Sequence, residues 1–366
     1  MTCRNASKAF GGSLLAVALI ILVSTSACVP GGAKPGQRSG SAKNDYIDAH
    51  NHLFGVVQSR MGGEQRDYDG AVKTALEAMD DRNISQMIVM PPPYTVGQKG
   101  VDEYLAFLPA IKRYPGRFAF LGGGGTLNVL LMRAAGMGET PPEIKQQFER
   151  QARRIMDDGA VGFGEMATLH LSLGPGHPFE EAPPDHPLML LLADLAAEYN
   201  VPVDIHMEAV IAEMPTPDRL NRSPNPVRLK PNIAAFERLL SHNRGAKIIW
   251  AHAGWCHTGQ RTAGLCSDLL ERHPNLYMSF KVGKDSLPET RPLTPDGTLK
   301  PEWAQLVARF PDRFFIGSDQ FYMTPKAHKK MPSRQQGARS ILAQLPPDLA
   351  RKVGVANPIK IFGLKD

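Results

Sequence analysis

What most constrains this 366-residue chain is an alternation of two hydrophobic periods. Eight short apolar runs of strand type recur along it: Tyr46 to Leu53, Gln86 to Met90, Phe118 to Leu121, Ala160 to Glu165, Val201 to His206, Lys247 to Ala251, Asn275 to Phe280 and Arg313 to Ser318. Several are nearly unbroken, as in Met87-Ile88-Val89-Met90 and Lys247-Ile248-Ile249-Trp250. A parallel strand is covered on both faces, so it reads as a continuous apolar run and not as an in-and-out alternation. Between the runs the period changes to that of a helix. Ala71 to Met79 places Val72, Leu76 and Met79 on one face, and Ile144 to Met156 does the same with Phe148, Ala152 and Ile155. Further helices are predicted over Asp102 to Arg113, His186 to Tyr199, Ile233 to Ser241, Ala263 to His273, Glu302 to Phe310 and Arg334 to Ala343. Strands and helices in strict alternation predict an α/β fold, a (β/α)8 TIM barrel filling Asp45 to Asp366. An open doubly wound sheet is the competing architecture. It lacks support because no Gly-x-Gly-x-x-Gly turn follows the first strand, and the cluster Gly122 to Gly125 lacks the Lys-Ser/Thr of a phosphate loop. That cluster reads as a tight βα turn.

The first residues differ from the rest. Met1 to Ala27 combines Arg4 and Lys8, an apolar run from Leu14 to Val23 and a small-residue stretch ending at Ala27. A membrane span needs roughly 20 apolar residues, and this run is too short, so the segment is predicted to be a cleaved export signal. Thr25-Ser26-Ala27-Cys28 resembles a bacterial lipobox, which implies a lipid on Cys28 and a membrane anchor facing the periplasm; ordinary cleavage to a soluble exported form is the alternative. Val29 to Asn44, rich in Gly, Ser, Pro and Lys, has the composition of a flexible tether. The formal charge of +6 is spread along the chain without a basic stripe, so no nucleic-acid partner is expected. Of the four cysteines only Cys256 and Cys266 could pair within the mature domain, and unpaired, partly buried thiols are expected.

In a barrel of this kind the active site lies at the C-terminal ends of the strands. Here those ends carry imidazoles and carboxylates: His50 and His52 on the first strand, Glu165 on the fourth, His206 on the fifth, His252 on the sixth and Asp319 on the eighth. Alternation puts His50 and His52 on the same side, able to converge on one ion. Taken singly, His206 or His252 after an apolar run reads as a hydrogen-bonded core residue, Glu165 as an ion-pair partner and Asp319 as a helix cap. Six metal-competent side chains at the same end of five strands do not fit those separate readings.

Asp48-Ala49-His50-Asn51-His52 resembles the His-x-His motif of the amidohydrolase superfamily, in particular its amidohydrolase-2 branch. The resemblance runs from Tyr46 to Leu364, where Val355-Ala356-Asn357-Pro358-Ile359-Lys360-Ile361-Phe362-Gly363-Leu364 is similar to the branch's terminal helix. It implies that His50, His52, His206 and Asp319 bind a divalent metal, Zn2+ being the first expectation. His252 would hold a second ion or polarise the substrate, and Asp319 would move the proton. Where many binuclear members carry a carboxylated Lys on strand four, this chain has Glu165, similar to the bridging Glu of TatD-type nucleases. One ion or two are both compatible with that exchange. The implied activity is hydrolysis of an ester, lactone, amide or similar bond in a small molecule. Non-oxidative decarboxylation, a phosphodiesterase and a non-catalytic binding lipoprotein are the alternatives. For substrate contact the sequence nominates Glu208, two residues after His206, with Lys281 after strand seven and Trp255 and His257 after strand six. Asp48 is assigned to orienting the strand-one imidazoles, and the loops Gly55 to Tyr68 and Met214 to Lys230 to covering the pocket.

Overall fold

All eight apolar runs become strands, because each is flanked by turn residues and covered by helices on its outer face. The computed structural model describes residues 45–58, 64–98, 103–283, 285–328 and 333–365. The export signal, Cys28 and the tether lie outside them. The strands are β1 (Tyr46–Leu53), β2 (Ile84–Val89), β3 (Phe118–Phe120 with Gly122–Gly123), β4 (Phe163–His170), β5 (Pro202–Met207), β6 (Lys247–Ala253), β7 (Leu276–Phe280) and β8 (Phe314–Ile316 with Gln320–Tyr322).

Neighbours pair in sequence order and in parallel, from β1 with β2 through to β7 with β8. Two strands change partner midway. In β3, Phe118–Phe120 pairs with β2 and Gly122–Gly123 with β4. In β8, Phe314–Ile316 pairs with β7, while Gln320–Tyr322 pairs with β1 in the register Asn51 to Gln320. These two switches close the cylinder and remove every barrel edge. At Gly317, between the halves of β8, an added Cβ would stand 2.8 Å from both the His50 and Ser279 Cβ atoms. Only glycine permits that approach.

Two layers of apolar side chains follow. The outer one lies between strands and helices, with Phe148, Phe163, Phe236, Trp250, Phe280, Trp303 and Phe314 among its buried members. The inner one fills the barrel with Ile47, Ala49, Ile88, Met90, Leu121, Ile249 and Phe315, and is closed by Ile361 and Phe362. The terminal segment is helical from Pro347 to Phe362, with a π-helical turn over Lys352–Ala356 and an αL cap at Gly363. Lys247 at the start of β6 donates to the Ile361 carbonyl at 3.2 Å, which puts this helix at the N-terminal end of the strands, as the barrel's floor. The nominated imidazoles and carboxylates stand toward the other end.

Some expectations shift. The fourth strand begins at Phe163 and continues through Met166, Ala167 and Leu169, so Glu165 sits near its start and not at its end. The apolar residues beyond Glu165 and the antiparallel partner Glu180–Glu181 extend it. The turn read at Gly122 to Gly125 also leads into an unpredicted helix, Leu127–Ala135. Among the described residues no helix is long and apolar enough to cross a membrane.

Candidate metal centre

Strand irregularity aims the site. Ile47 and Ala49 of β1 belong to the inner layer, so strict alternation would turn His50 and His52 outward. The pairing of β1 with β2 slips between Asp48 and Asn51, and beyond the slip both imidazoles face inward. A bulge of this kind re-aims the side chains that follow it. The same device recurs on β6, where Ile249 lies inside, the register with β7 slips between Trp250 and Ala253, and His252 takes φ 69°. Asp319 also has a left-handed backbone, φ 55°. Such conformations cost a non-glycine residue on the order of 1–3 kcal/mol and concentrate where geometry is functionally constrained. Strand β5 alternates regularly, sending Val203, Ile205 and Met207 outward and Asp204 and His206 inward.

The six nominated residues meet around Glu165. Its Oε2 lies 3.5 Å from His50 Nε2 and 3.4 Å from His52 Nε2, while its Oε1 lies 3.1 Å from His206 Nδ1 and 3.0 Å from His252 Nε2. Asp319 Oδ1 is 3.0 Å from His52 Nε2 and 4.0 Å from His50 Nε2. Two three-ligand groups result, His50-His52-Glu165 and Glu165-His206-His252, each with ligand atoms within 4.8 Å of one another. Glu165 is common to both. His52 Nδ1 stands 2.9 Å from the Met90 carbonyl, which can only accept, so Nδ1 carries a proton and Nε2 is the nitrogen that could ligate. His50 and His52 Nε2 are buried without a hydrogen-bond partner. Buried nitrogen lone pairs converging on carboxylates fit a divalent cation.

Electrostatics divide the cluster in two. Burial would raise Glu165, but the surrounding His50, His206 and His252 imidazoles hold its carboxyl well below the usual range. Burial would likewise raise Asp319; Lys281 Nζ at 2.5 Å and Arg334 at 2.6 Å hold it well below. Burial pushes His206 down to about 4, assisted by His170, and holds His252 well below its ordinary value together with Lys281. Burial would lower His50 and His52 as well, but the Asp204, Glu165 and Asp319 carboxylates around them hold both above their ordinary value, so an ion on that side would have to displace a proton from each before ligation. Asp48 acts from outside the cluster: Ser318 donates to it through its amide at 2.8 Å and its hydroxyl at 2.6 Å, tying β1 to the loop that carries Asp319.

The cavity above the cluster has a volume of about 260 Å³, a size for a small molecule. His52, Glu165, His206 and Asp319 form its base. Its walls include Phe54, Pro92, Pro93, Tyr94, Trp255 and Phe321, with Lys281, Arg334, His170 and His177 as polar members. Lys281 also lies 3.3 Å from the centre of the Trp255 ring, whose Nε1 donates to Asp285 at 2.8 Å. Lys281 and Trp255 therefore stand where the sequence placed them, on the wall.

Glu208 does not. It is buried off the cavity, and its Oε2 accepts the His257 amide at 2.6 Å, so it braces the loop after β6. The strand ends at Met207, and the period-two extrapolation to Glu208 fails there. His257 is also turned away, against Arg219. Among the described residues neither Gly55 to Tyr68 nor Met214 to Lys230 lines the cavity; the loops after β2, β4, β6, β7 and β8 do. The glycine cluster after β3 is filled by the chain itself, since Glu103 accepts from the Gly123 amide at 3.0 Å and from Thr126 Oγ1 at 3.0 Å. Arg334, His170 and Asp204 were not anticipated. Only Asp204 had a readable signal, its period-two spacing from His206. Cys256 and Cys266 are free and buried.

A family model described as Amidohydrolase matches residues 47–364. None of the curated proteins matches the chain. Similar solved structures include a probable 2-pyrone-4,6-dicarboxylic acid hydrolase from Acinetobacter baumannii with citric acid bound, 13% identical over 87% of this chain and 100% of that one, TM-score 0.47. A 2,6-dihydroxybenzoate decarboxylase from Rhizobium is 13% identical over 87% and 99%, TM-score 0.46. A dihydroxybenzoic acid decarboxylase from Polaromonas with bound manganese is 12% identical over 88% and 97%, TM-score 0.44.

Proposed function

The chain belongs to the amidohydrolase family, and from that premise we propose that it is a metal-dependent hydrolase attacking an ester, lactone, amide or similar bond of a small molecule with an activated water. The observation that carries this reading is the division of Glu165 between two imidazole pairs, one oxygen toward each. In this proposal His50, His52, His206, His252, Glu165 and Asp319 are the ligands of two divalent ions, Zn2+ first among the metals that imidazole and carboxylate suit. The ions would supply Lewis acidity, polarising a substrate oxygen and making water acidic near neutral pH.

The chain's residues do the rest. Asp319 is held ionised, which a proton acceptor must be before turnover, although its two cations reduce its basicity. Lys281, fixed by Asp319 and Trp255, presents positive charge at the cavity wall, and with Arg334 it suits a substrate that carries a carboxylate. That pair of cations is also the observation favouring the second reading, non-oxidative decarboxylation of an acid. Phe54, Pro92, Pro93 and Phe321 would keep water from the bound face.

Elemental analysis separates the two. Two ions per chain, falling in Glu165→Ala, together with turnover of esters, lactones or amides, is the expected result. One ion insensitive to Glu165→Ala, with release of CO2 from aromatic acids, would replace hydrolysis by decarboxylation. No ion bound after metal addition would remove the enzymatic reading.

We propose further that the mature protein is tethered to a membrane by a lipid on Cys28. Mass spectrometry of the protein expressed with its leader should find the lipid-modified N-terminal peptide in the membrane fraction, and Cys28→Ser should shift the protein to the soluble fraction. A soluble unmodified wild type would decide for ordinary cleavage.

A further inference from the structure

Asp204 is a buried carboxylate at the barrel mouth, standing behind His50. It is fully buried on β5, and among the described residues it pairs with no Lys or Arg. Among the described residues, its one ion-pair partner is His50, whose Nδ1 lies 3.3 Å from each of its two oxygens. Oδ1 makes no hydrogen bond. A carboxylate taken out of water is costly unless it is paired, and here the imidazole of His50 is the partner.

The two strand-one imidazoles are supported unequally. His52 gives its Nδ1 proton to the neutral Met90 carbonyl, whereas His50 faces a carboxylate. In both, Nδ1 is committed and Nε2 turns toward Glu165 and Asp319. A carboxylate behind a ligating imidazole fixes its tautomer and ring orientation and increases electron donation through the far nitrogen. It also adds negative charge to a cluster built for a cation.

We infer that Asp204 is a positioning residue for the metal: it holds His50 with Nε2 toward the ion and supplies charge that raises affinity on the His50/His52 side of Glu165. The inference rests on the metal reading above. The ion, linked to Asp204 through His50, would in turn balance the negative charge of the carboxylate.

The test is Co2+ and Zn2+ binding to the wild-type protein, Asp204→Asn and Asp204→Ala, by competition with a chromophoric chelator, with the visible absorption of the Co2+ forms recorded. Asp204→Ala should lose about 10- to 100-fold in affinity and change the Co2+ band positions. Asp204→Asn keeps an acceptor for His50 Nδ1–H without the charge, so it should recover the band shape while retaining part of the affinity loss. Asn is nearly isosteric and carries the test if the Ala variant does not fold. Wild-type affinity and an unaltered Co2+ spectrum in Asp204→Asn and Asp204→Ala would overturn the assignment while leaving the metal site intact. Absence of binding by the wild type would instead defeat the metal reading on which it stands.

Discussion

Asp319→Asn is expected to abolish all but a trace of turnover, with a fall in kcat on the order of 10³-fold, within the range for loss of a positioned proton-transfer group. The argument is local. Asp319 Oδ1 faces His52 Nε2 at 3.0 Å while Oδ2 is shared by Lys281 and Arg334. Asn occupies the same volume and offers one oxygen, but it can neither accept the proton nor balance two cations. Its amide nitrogen would either face the Lys281 ammonium, which cannot accept a hydrogen bond, or engage the Nε2 of His52, the nitrogen needed for the ion. Lys281 is almost fully buried, and removing the partner of a buried charge is destabilising. The variant should therefore retain the circular dichroism of the barrel with a melting temperature lowered by several degrees. Turnover within tenfold of wild type would remove Asp319 from the chemistry.

The second large effect belongs to the floor of the barrel. Phe315 is fully buried in the inner layer and meets Phe362 of the terminal helix edge-on, ring centres 5.5 Å apart. Replacing it by Ala opens a cavity enclosed by strands on all sides, where little can collapse to fill it. Phe→Ala changes of this kind cost about 3–5 kcal/mol, which for a domain of this size lowers the melting temperature by on the order of 10 °C. Thermal unfolding followed by circular dichroism reads it directly. A shift below about 2 °C would mean that the terminal helix does not seal the barrel as described. Because the metal cluster sits at the other end of the strands, metal content of the folded protein at low temperature should be unaffected.

The barrel was legible because its signal is periodic and local. Unbroken runs such as Ile88-Val89-Met90 can only be satisfied by burial on both faces, and eight of them separated by helices admit few topologies. The metal-competent side chains were legible for a related reason: a strand end is where a period-two pattern stops, so His206 and Asp319 stand out against the apolar residues before them. The pattern misled where the backbone departs from it. Glu208 follows His206 at the spacing of a strand neighbour, but the chain has left the strand by then and its carboxylate goes to the His257 amide. On β1 and β6 the spacing was read correctly while the facing was not readable, since it depends on slips in pairing at Asp48 to Asn51 and at Trp250 to Ala253.

By itself, then, the sequence determined the fold class and the family and nominated the metal-competent side chains, because each of these follows from residue identity and short-range spacing. Tertiary structure alone decided that Glu165 stands between two imidazole pairs, that Arg334 joins Lys281 on Asp319, and that Asp204 sits behind His50. Those contacts join residues of different strands and loops. No local propensity encodes them; they exist only once parallel pairing has closed the barrel and brought eight strand ends to one mouth.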